Sequence, residues 1–243
     1  MHPIQSELAV VQRGDGATPL VEQVVHALRE EILSGRYDAT GELPPQGELC
    51  QRYGVSRSVI REAMRQLESQ RLLTIGRGRR PQLAPLNSQA VAESLQILLR
   101  RSGATLFHLM QVRQVLEVEI ARLAACNMDE ETLLRLHVAV KQQEQAQDVE
   151  GQIQADLAFH RILAEATGNP LFVFLMDALA ELMYESRKTT IGRGLNARAV
   201  RGHRAILKAL ATGQPEAVVQ AMQAHLDDAA EDLEKLADKP PAS

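Results

Sequence analysis

From Val21 onward, apolar residues recur at Val24, Val25, Leu28, Ile32 and Leu33, the three-and-four spacing of an amphipathic helix. Thr18-Pro19 predicts its start, a capping residue followed by proline at the first helical position, and Gly35 predicts its end. "YDATGELPP" then breaks the pattern with Gly41, Pro44 and Pro45. A second, short helix is predicted from Gln46 to Tyr53, with Gly54 as a left-handed C-cap. Ser56 can cap a third. In "GVSRSVIREAMRQL" (54–67), Ile60, Ala63, Met64 and Leu67 fall on one face and Arg57, Arg61 and Arg65 on another. After Gln70 the helical period stops. "LLTIGRGRRPQL" places β-forming residues on either side of Gly76-Arg77-Gly78, which reads as a hairpin. Three helices and a hairpin, with a tight turn before the third helix, predict a winged helix-turn-helix.

Beyond "APLNS" (84–88) nearly every segment carries helical periodicity. Helices are expected near 89–101, 105–126, 129–148, 151–167, 170–189, 196–212 and 215–237, with breaks at Ser102-Gly103, Asn127, Gly168-Asn169-Pro170, Gly192-Arg193-Gly194 and Gly213-Gln214-Pro215. The expected fold class is therefore all-α dominated: an N-terminal winged helix-turn-helix and a C-terminal antiparallel bundle of six or seven helices. The division reads as a flexible arm (1–17), a winged helix-turn-helix domain (18–84), a linker (85–88) and a helical domain (89–238).

Charge sharpens this division. The whole chain carries −4, yet the segment 51–80 holds eight arginines against Glu62 and Glu68, a net +6, which leaves −10 on the remainder. A basic segment on an acidic body points to a polyanionic partner for that segment alone. The two cysteines, Cys50 and Cys126, are too few for a disulfide framework and favour a reducing compartment. The N-terminus has no signal-peptide pattern, and the apolar stretch Leu171–Met176 is far too short to cross a bilayer. A cytoplasmic protein with no membrane partner is expected.

In a helix-turn-helix the N-terminal residues of the third helix reach base edges in the major groove. Arg57 and Arg61 lie there, where bidentate contact to guanine is open to them. Arg65 sits farther along and faces phosphate. Arg77, at the hairpin tip, is placed for a minor groove or the backbone, with Gly78 allowing close approach. Arg36, Arg79 and Arg80 are phosphate candidates. A lone arginine stripe is also what a solvated helix face displays; here turn, cap, stripe and wing occur in the order that DNA binding requires. The segment "GELPPQGELCQRYGVSRSVIREAMRQLESQRLLTIGRGR" resembles the DNA-binding domain of the GntR family of bacterial transcriptional regulators, over about 18–84. The resemblance implies that Arg57, Arg61 and Gly78 fall on operator-contacting positions. Two positions depart from the family pattern: Gly47 stands where many members carry a DNA-binding arginine, and Arg71 where a glycine usually follows the recognition helix.

The acidic half contains "ADLAFHRIL", "GHRAIL" and "AMQAHLDDA". Asp156 and His160 are four apart, hence on one helix face. His203 shares a face with Ile206, Leu207 and Leu210, and His225 with Val218, Met222 and Ala229. Both histidines lie eleven residues from Gln214 in the intervening turn, so at about 1.5 Å per residue they stand level, roughly 16 Å from it. A helix bearing Asp156 and His160 packed on that pair would gather three imidazoles and a carboxylate. Taken singly, each histidine reads as a hydrogen-bonded core residue. Together they suit a divalent transition metal, zinc first, with nickel, manganese and iron also matched to such donors, and they leave coordination positions open. His26, His108 and His137 have no such company.

This half is similar to the all-helical effector domain of the FadR subfamily, the FCD domain, over about 89–237, through "VRQVLEVEIARLAA" and "HRAILKALATGQPEAVVQAMQAHL". The resemblance implies that Asp156, His160, His203 and His225 are metal ligands and that Arg113 pairs with an effector carboxylate, whose two oxygens match a guanidinium fork. An ordinary surface salt bridge is the plainer role for Arg113. Asn169 is a weaker pocket candidate. The function expected is a transcriptional repressor that binds a pseudo-palindromic operator in double-stranded DNA as a homodimer and responds to a small organic acid. The alternative is a metal-dependent hydrolase with an appended DNA-binding domain, using metal-bound water. Against it, no general base is evident beside the ligands, since Asp156 is committed to the metal and nothing marks Glu165.

Overall fold

The computed structural model describes residues 19–38, 40–76, 79–85, 88–192 and 194–237. The chain forms two compact units, Met1–Leu86 and Asn87–Ser243.

The first unit holds α1 (Leu20–Leu33), α2 (Gln46–Tyr53), α3 (Arg57–Ser69) and the two-residue strands β1 (Leu73–Thr74) and β2 (Gln82–Leu83). The first helix begins one residue later than its sequence signal implies. Pro19 has extended backbone (φ −56°, ψ 141°) and occupies the N-cap position, while Thr18 lies outside the described residues. Gly54 takes the left-handed conformation (φ 66°) that lets α2 stop, and the Ser56 hydroxyl accepts the Val59 N–H at 3.4 Å to start α3. Val24, Leu28, Leu49, Ile60, Met64 and Leu67 are fully buried in one core. Below it, Glu31 accepts the Tyr53 hydroxyl at 3.0 Å and the Arg52 guanidinium at 3.1 Å, and also takes the Tyr37 hydroxyl, tying α1 to α2. The strands pair antiparallel, Leu73 with Leu83 and Thr74 with Gln82, and Gln82 also bridges Glu42. This is a winged helix-turn-helix whose wing is short.

The second unit contains seven helices among the described residues: α4 (Gln89–Ser102), α5 (Leu106–Cys126), α6 (Glu130–Gln145), α7 (Val149–Ala166), α8 (Pro170–Ile191), α9 (Asn196–Leu210) and α10 (Pro215–Ala237). Their starts are chemically marked. Asp129, Asp148 and Asn169 accept backbone N–H groups at the heads of α6, α7 and α8, and Pro170 opens α8. α5 packs on α10 and α7, α6 on α7 and α9, α7 on α8, and α9 on α10. Their apolar faces meet in a core that includes Ile120, Leu136, Phe159, Ile206, Val218, Met222 and Leu226. No described helix is long and apolar enough to cross a membrane.

Candidate functional site

Two places in the chain carry chemistry beyond packing. In the first unit, α3 buries Ile60, Ala63, Met64 and Leu67 and leaves Arg57, Arg61 and Arg65 exposed on its opposite face. Among the described residues neither Arg57 nor Arg61 forms an ion pair with a carboxylate, whereas Arg65 lies 3.8 Å from Glu62. Arg36 is half exposed and pairs with Glu31 at 3.0 Å, and Arg80 pairs with Glu42 at 3.6 Å. Arg79 is exposed beside Gly76 in the wing. Arg77 and Gly78 lie outside the described residues. The two family departures also acquire a physical meaning. Arg71 adopts φ 58°, a left-handed conformation in which a glycine carries no Cβ strain, and a Cβ at Gly47 would meet nothing within 4 Å.

In the second unit, the α7, α9 and α10 helices bring His160, His203 and His225 together in the core, all three buried, with one nitrogen of each within 4.8 Å of the others. The level placement of His203 and His225 across the α9–α10 turn gives ring centroids 4.6 Å apart. Gly202 makes this approach feasible: a Cβ there would lie 2.3 Å from His225 Nδ1. Phe159 stacks on His203 at 4.1 Å and holds its ring plane.

The imidazole nitrogens are oriented by their neighbours. His160 Nδ1 lies 2.7 Å from Glu117 Oε2, within donating distance although its N–H is not well aligned with the oxygen. An ionised carboxylate can only accept, so that nitrogen is the protonated one. His160 Nε2 and His203 Nε2 then face each other at 3.2 Å. His225 Nε2 is buried with no hydrogen-bond partner among the described residues. Buried polar nitrogens without partners are costly, and nitrogens around a tetrahedral ion at about 2.0–2.1 Å would be separated by about 3.3 Å. The donor set, its orphaned nitrogen and its spacing therefore fit a transition-metal ion.

Asp156 stands against this group, its Oδ1 3.7 Å from His203 Nε2 and its Oδ2 4.0 Å from His160 Nε2. Its second commitment was not legible in the sequence: Arg187 of α8 donates to Oδ2 from Nε and places Nη2 3.5 Å from His160 Nε2. Arg113 is wholly buried and so is not a surface salt bridge. Its guanidinium donates to both oxygens of Glu117, with Nη2 to Oε2 at 3.4 Å. Asn169 is not part of the centre. It is exposed at the head of α8, where its Oδ1 accepts the Leu171 N–H at 3.0 Å, because an Asn before a helix-opening proline serves as a cap.

The titration behaviour follows from this arrangement. Burial, together with the neighbouring His160 and Arg187, pushes the His203 pKa down to about 3 against the pull of Asp156. Burial and the other two imidazoles hold His225 well below its ordinary value. Burial would raise Glu117, but Arg113 and His160 outweigh it and hold the carboxyl well below its usual range. Asp156 is likewise raised by burial and lowered further by Arg187 and the histidines, with a net downward shift. Desolvation also lowers the Arg113 guanidinium, with Arg187 adding to the effect. The result is a buried group in which two guanidiniums face two carboxylates and His203 and His225 are held neutral. Beside it lies a cavity of about 20 Å³ bounded in part by Arg187, Thr190, Arg198, His225 and Asp232.

An exposed arginine helix on a winged helix-turn-helix, joined in one chain to a helical unit with a buried polar centre, defines a two-unit class of DNA-binding regulator. Residues 20–80 match the bacterial regulatory proteins of the gntR family, and residues 108–228 match the FCD domain. The chain is 30% identical to the HTH-type transcriptional repressor NanR of Cronobacter sakazakii, over 92% of this chain and 91% of that one. It is also 30% identical to the Glc operon transcriptional activator of Escherichia coli K12, over 71% and 70% of the two chains. A solved structure, Streptococcus agalactiae GntR, superposes with a TM-score of 0.71 at 25% identity, covering 87% of this chain and 99% of that one. The protein belongs to the GntR family and is a DNA-binding transcriptional regulator with an FCD domain. Its relatives and fold are those of regulators and not of enzymes, which removes the hydrolase alternative.

Proposed function

We propose that this regulator is a cytoplasmic homodimeric repressor that holds a divalent transition metal in its helical unit and responds there to a small organic acid. The observation that carries the reading is the buried centre: three imidazoles gathered together, with His225 Nε2 lacking a hydrogen-bond partner among the described residues, beside two buried guanidiniums. His160, His203 and His225 would hold the ion, with Asp156 adjacent as the fourth donor. The ion would supply Lewis acidity and open coordination positions for a ligand oxygen.

The class of ligand follows from charge. Arg113 and Arg187 balance Glu117 and Asp156, so the charges of these four side chains cancel within the centre. With a divalent cation bound it would be +2, and in a low-dielectric interior such an excess favours an anionic ligand. A carboxylate is the anion that a guanidinium fork matches in two hydrogen bonds. Arg187 flanks the small cavity beside His225 and is the nearer anchor; Arg113 lies behind it against Glu117.

On the DNA side, Arg57 and Arg61 read bases in the major groove, Arg65 and Arg79 hold phosphates, and Arg36, Arg77 and Gly78 contribute backbone contacts. A single winged helix-turn-helix covers one half-site, and two-fold pairing of chains doubles the contact on a pseudo-palindrome. The relative matched over nearly its whole length is a repressor, which supports that sign of regulation.

A thermal-shift screen of small organic acids, on metal-loaded protein and on protein stripped by chelator, tests the reading. An acid at a hundredfold excess over Kd adds about 2.7 kcal/mol, or roughly 5–10 °C in Tm for a domain of this size. The expected result is a stabilising acid whose effect disappears with the metal. An acid that stabilises both forms equally would remove the metal from recognition.

A further inference from the structure

Gln143 of α6 is an uncharged polar side chain with no exposed surface, next to the metal-binding group but outside its donor set. Its amide Nε2 donates to Asp156 Oδ1 at 3.3 Å and to Asn196 Oδ1 at 3.0 Å. Asn196, at the start of α9, returns its own amide: Nδ2 donates to the Gln143 backbone carbonyl at 3.2 Å. Gln143 Oε1 lies 2.8 Å from His203 Nδ1.

These bonds permit one orientation. A carboxamide nitrogen has two hydrogens, and both are taken by oxygens that only accept. The reversed amide would set a carbonyl oxygen against the Asp156 carboxylate and an N–H₂ against the imidazole. With the amide fixed, Oε1 can accept only if His203 Nδ1 carries the proton. The lone pair of His203 is then on Nε2, the nitrogen that faces His160 Nε2 at 3.2 Å.

We propose that Gln143 is a positioning residue that sets His203 in its Nδ1–H tautomer and so presents Nε2 to the metal. The purpose, though not the tautomer itself, rests on the metal reading above. Metal-ligating histidines generally donate their other ring N–H to a carboxylate or carbonyl, and here a glutamine carbonyl takes that part for His203 while Glu117 takes it for His160. The device is over-determined: Gln143 is held by Asp156 on one side and by Asn196 on the other, so that α6, α7 and α9 jointly fix one ring. It also explains a glutamine on the buried face of α6, whose other members are Leu136, Ala139 and Val140.

The test is the two-bond ¹H–¹⁵N correlation spectrum of the full-length, metal-free protein near pH 7.5, which distinguishes the two imidazole tautomers, followed by zinc competition against a chelator. His203 in the unaltered protein is expected as Nδ1–H. Gln143→Leu, which cannot accept, should shift it toward Nε2–H and weaken zinc binding by about 10–100-fold. Gln143→Glu, whose second oxygen must carry a proton to donate to Asp156 Oδ1 while its carbonyl oxygen still accepts, should keep Nδ1–H, and it decides the matter should the leucine variant fail to fold. His203 found as Nε2–H in the unaltered protein or in Gln143→Glu, or an unchanged tautomer and zinc affinity in a folded Gln143→Leu, would overturn the assignment. A tautomer that depends on Gln143 in a protein that binds no zinc would uphold it and overturn the metal reading instead.

Discussion

His160 and His203 face each other Nε2 to Nε2 at 3.2 Å in the core of the helical unit. Each has a partner on its other ring nitrogen, Glu117 Oε2 for His160 and Gln143 Oε1 for His203. Two nitrogens turned toward one another in this way, with His225 Nε2 beside them and unpartnered among the described residues, are the geometry behind the proposed metal centre.

Without that cation the centre should make the fold acid-sensitive. His203 has a folded pKa of about 3 and His225 is also well below its ordinary value, so both are neutral in the native state while the unfolded chain binds their protons near pH 6.5. Their contribution is complete above about pH 6.5 and is lost as pH falls toward 3, at roughly 1.4 kcal/mol per pH unit for each histidine at most. Glu117 and Asp156, held low by Arg113 and Arg187, extend the loss below pH 4. Urea denaturation of chelator-stripped protein between pH 8 and 4.5 should show a flat region and then a steady decline; stability that is level or rises on acidification would contradict this charge state.

Gly202→Ala should damage the same centre from a distance of one residue. In an ordinary helix interior the change would stabilise by about 1 kcal/mol. Here the new Cβ would lie 2.3 Å from His225 Nδ1, so the ring must move, and a cost of about 1–3 kcal/mol is expected together with loss of zinc affinity. Thermal unfolding and chelator competition check both parts.

Much of this was legible in the sequence, for reasons that can be stated. The cap at Ser56, the left-handed turn at Gly54 and the periodicity around Arg57, Arg61 and Arg65 are local signals, and local signals fixed the order of elements in the DNA-binding unit. Counting from Gln214 placed His203 opposite His225 because an antiparallel helix pair has a constant rise. Glu117 could have been found as the i+4 partner of Arg113. Arg187, Gln143 and Gly202 could not. They reach the centre from α8, α6 and the face of α9 turned toward α10, and their parts depend on how helices pack, which no spacing along the chain records. Asn169 stands apart from the histidines, and its local role as a helix cap is sufficient to account for it.

Arg71→Gly should stabilise the DNA-binding unit. Arg71 holds φ 58° with a Cβ, and relieving that strain against the greater freedom of glycine in the unfolded chain should leave about 0.5–1 kcal/mol of gain. Equilibrium unfolding of the two proteins measures it; a loss of stability would mean that the contacts of the Arg71 side chain outweigh its backbone.

The exposed arginines should separate by role. Arg61→Ala should cost about 1–3 kcal/mol of operator binding and relax base preference, as loss of a base contact does. Arg79→Ala should weaken binding to all sequences alike and reduce the salt slope by about one. Binding curves on operator and scrambled duplexes at several salt concentrations distinguish the two, and altered base preference in Arg79→Ala would reverse their assignment.

The central claim, that the helical unit is a metal centre, is tested most directly by metal content. The unaltered protein and the double variant His203→Ala, His225→Ala would be loaded with zinc, dialysed and analysed for metal per chain, with circular dichroism to confirm helix content. One ion per chain in the former and none in the latter is predicted. Full occupancy in the double variant, or none in the unaltered protein, would contradict the account.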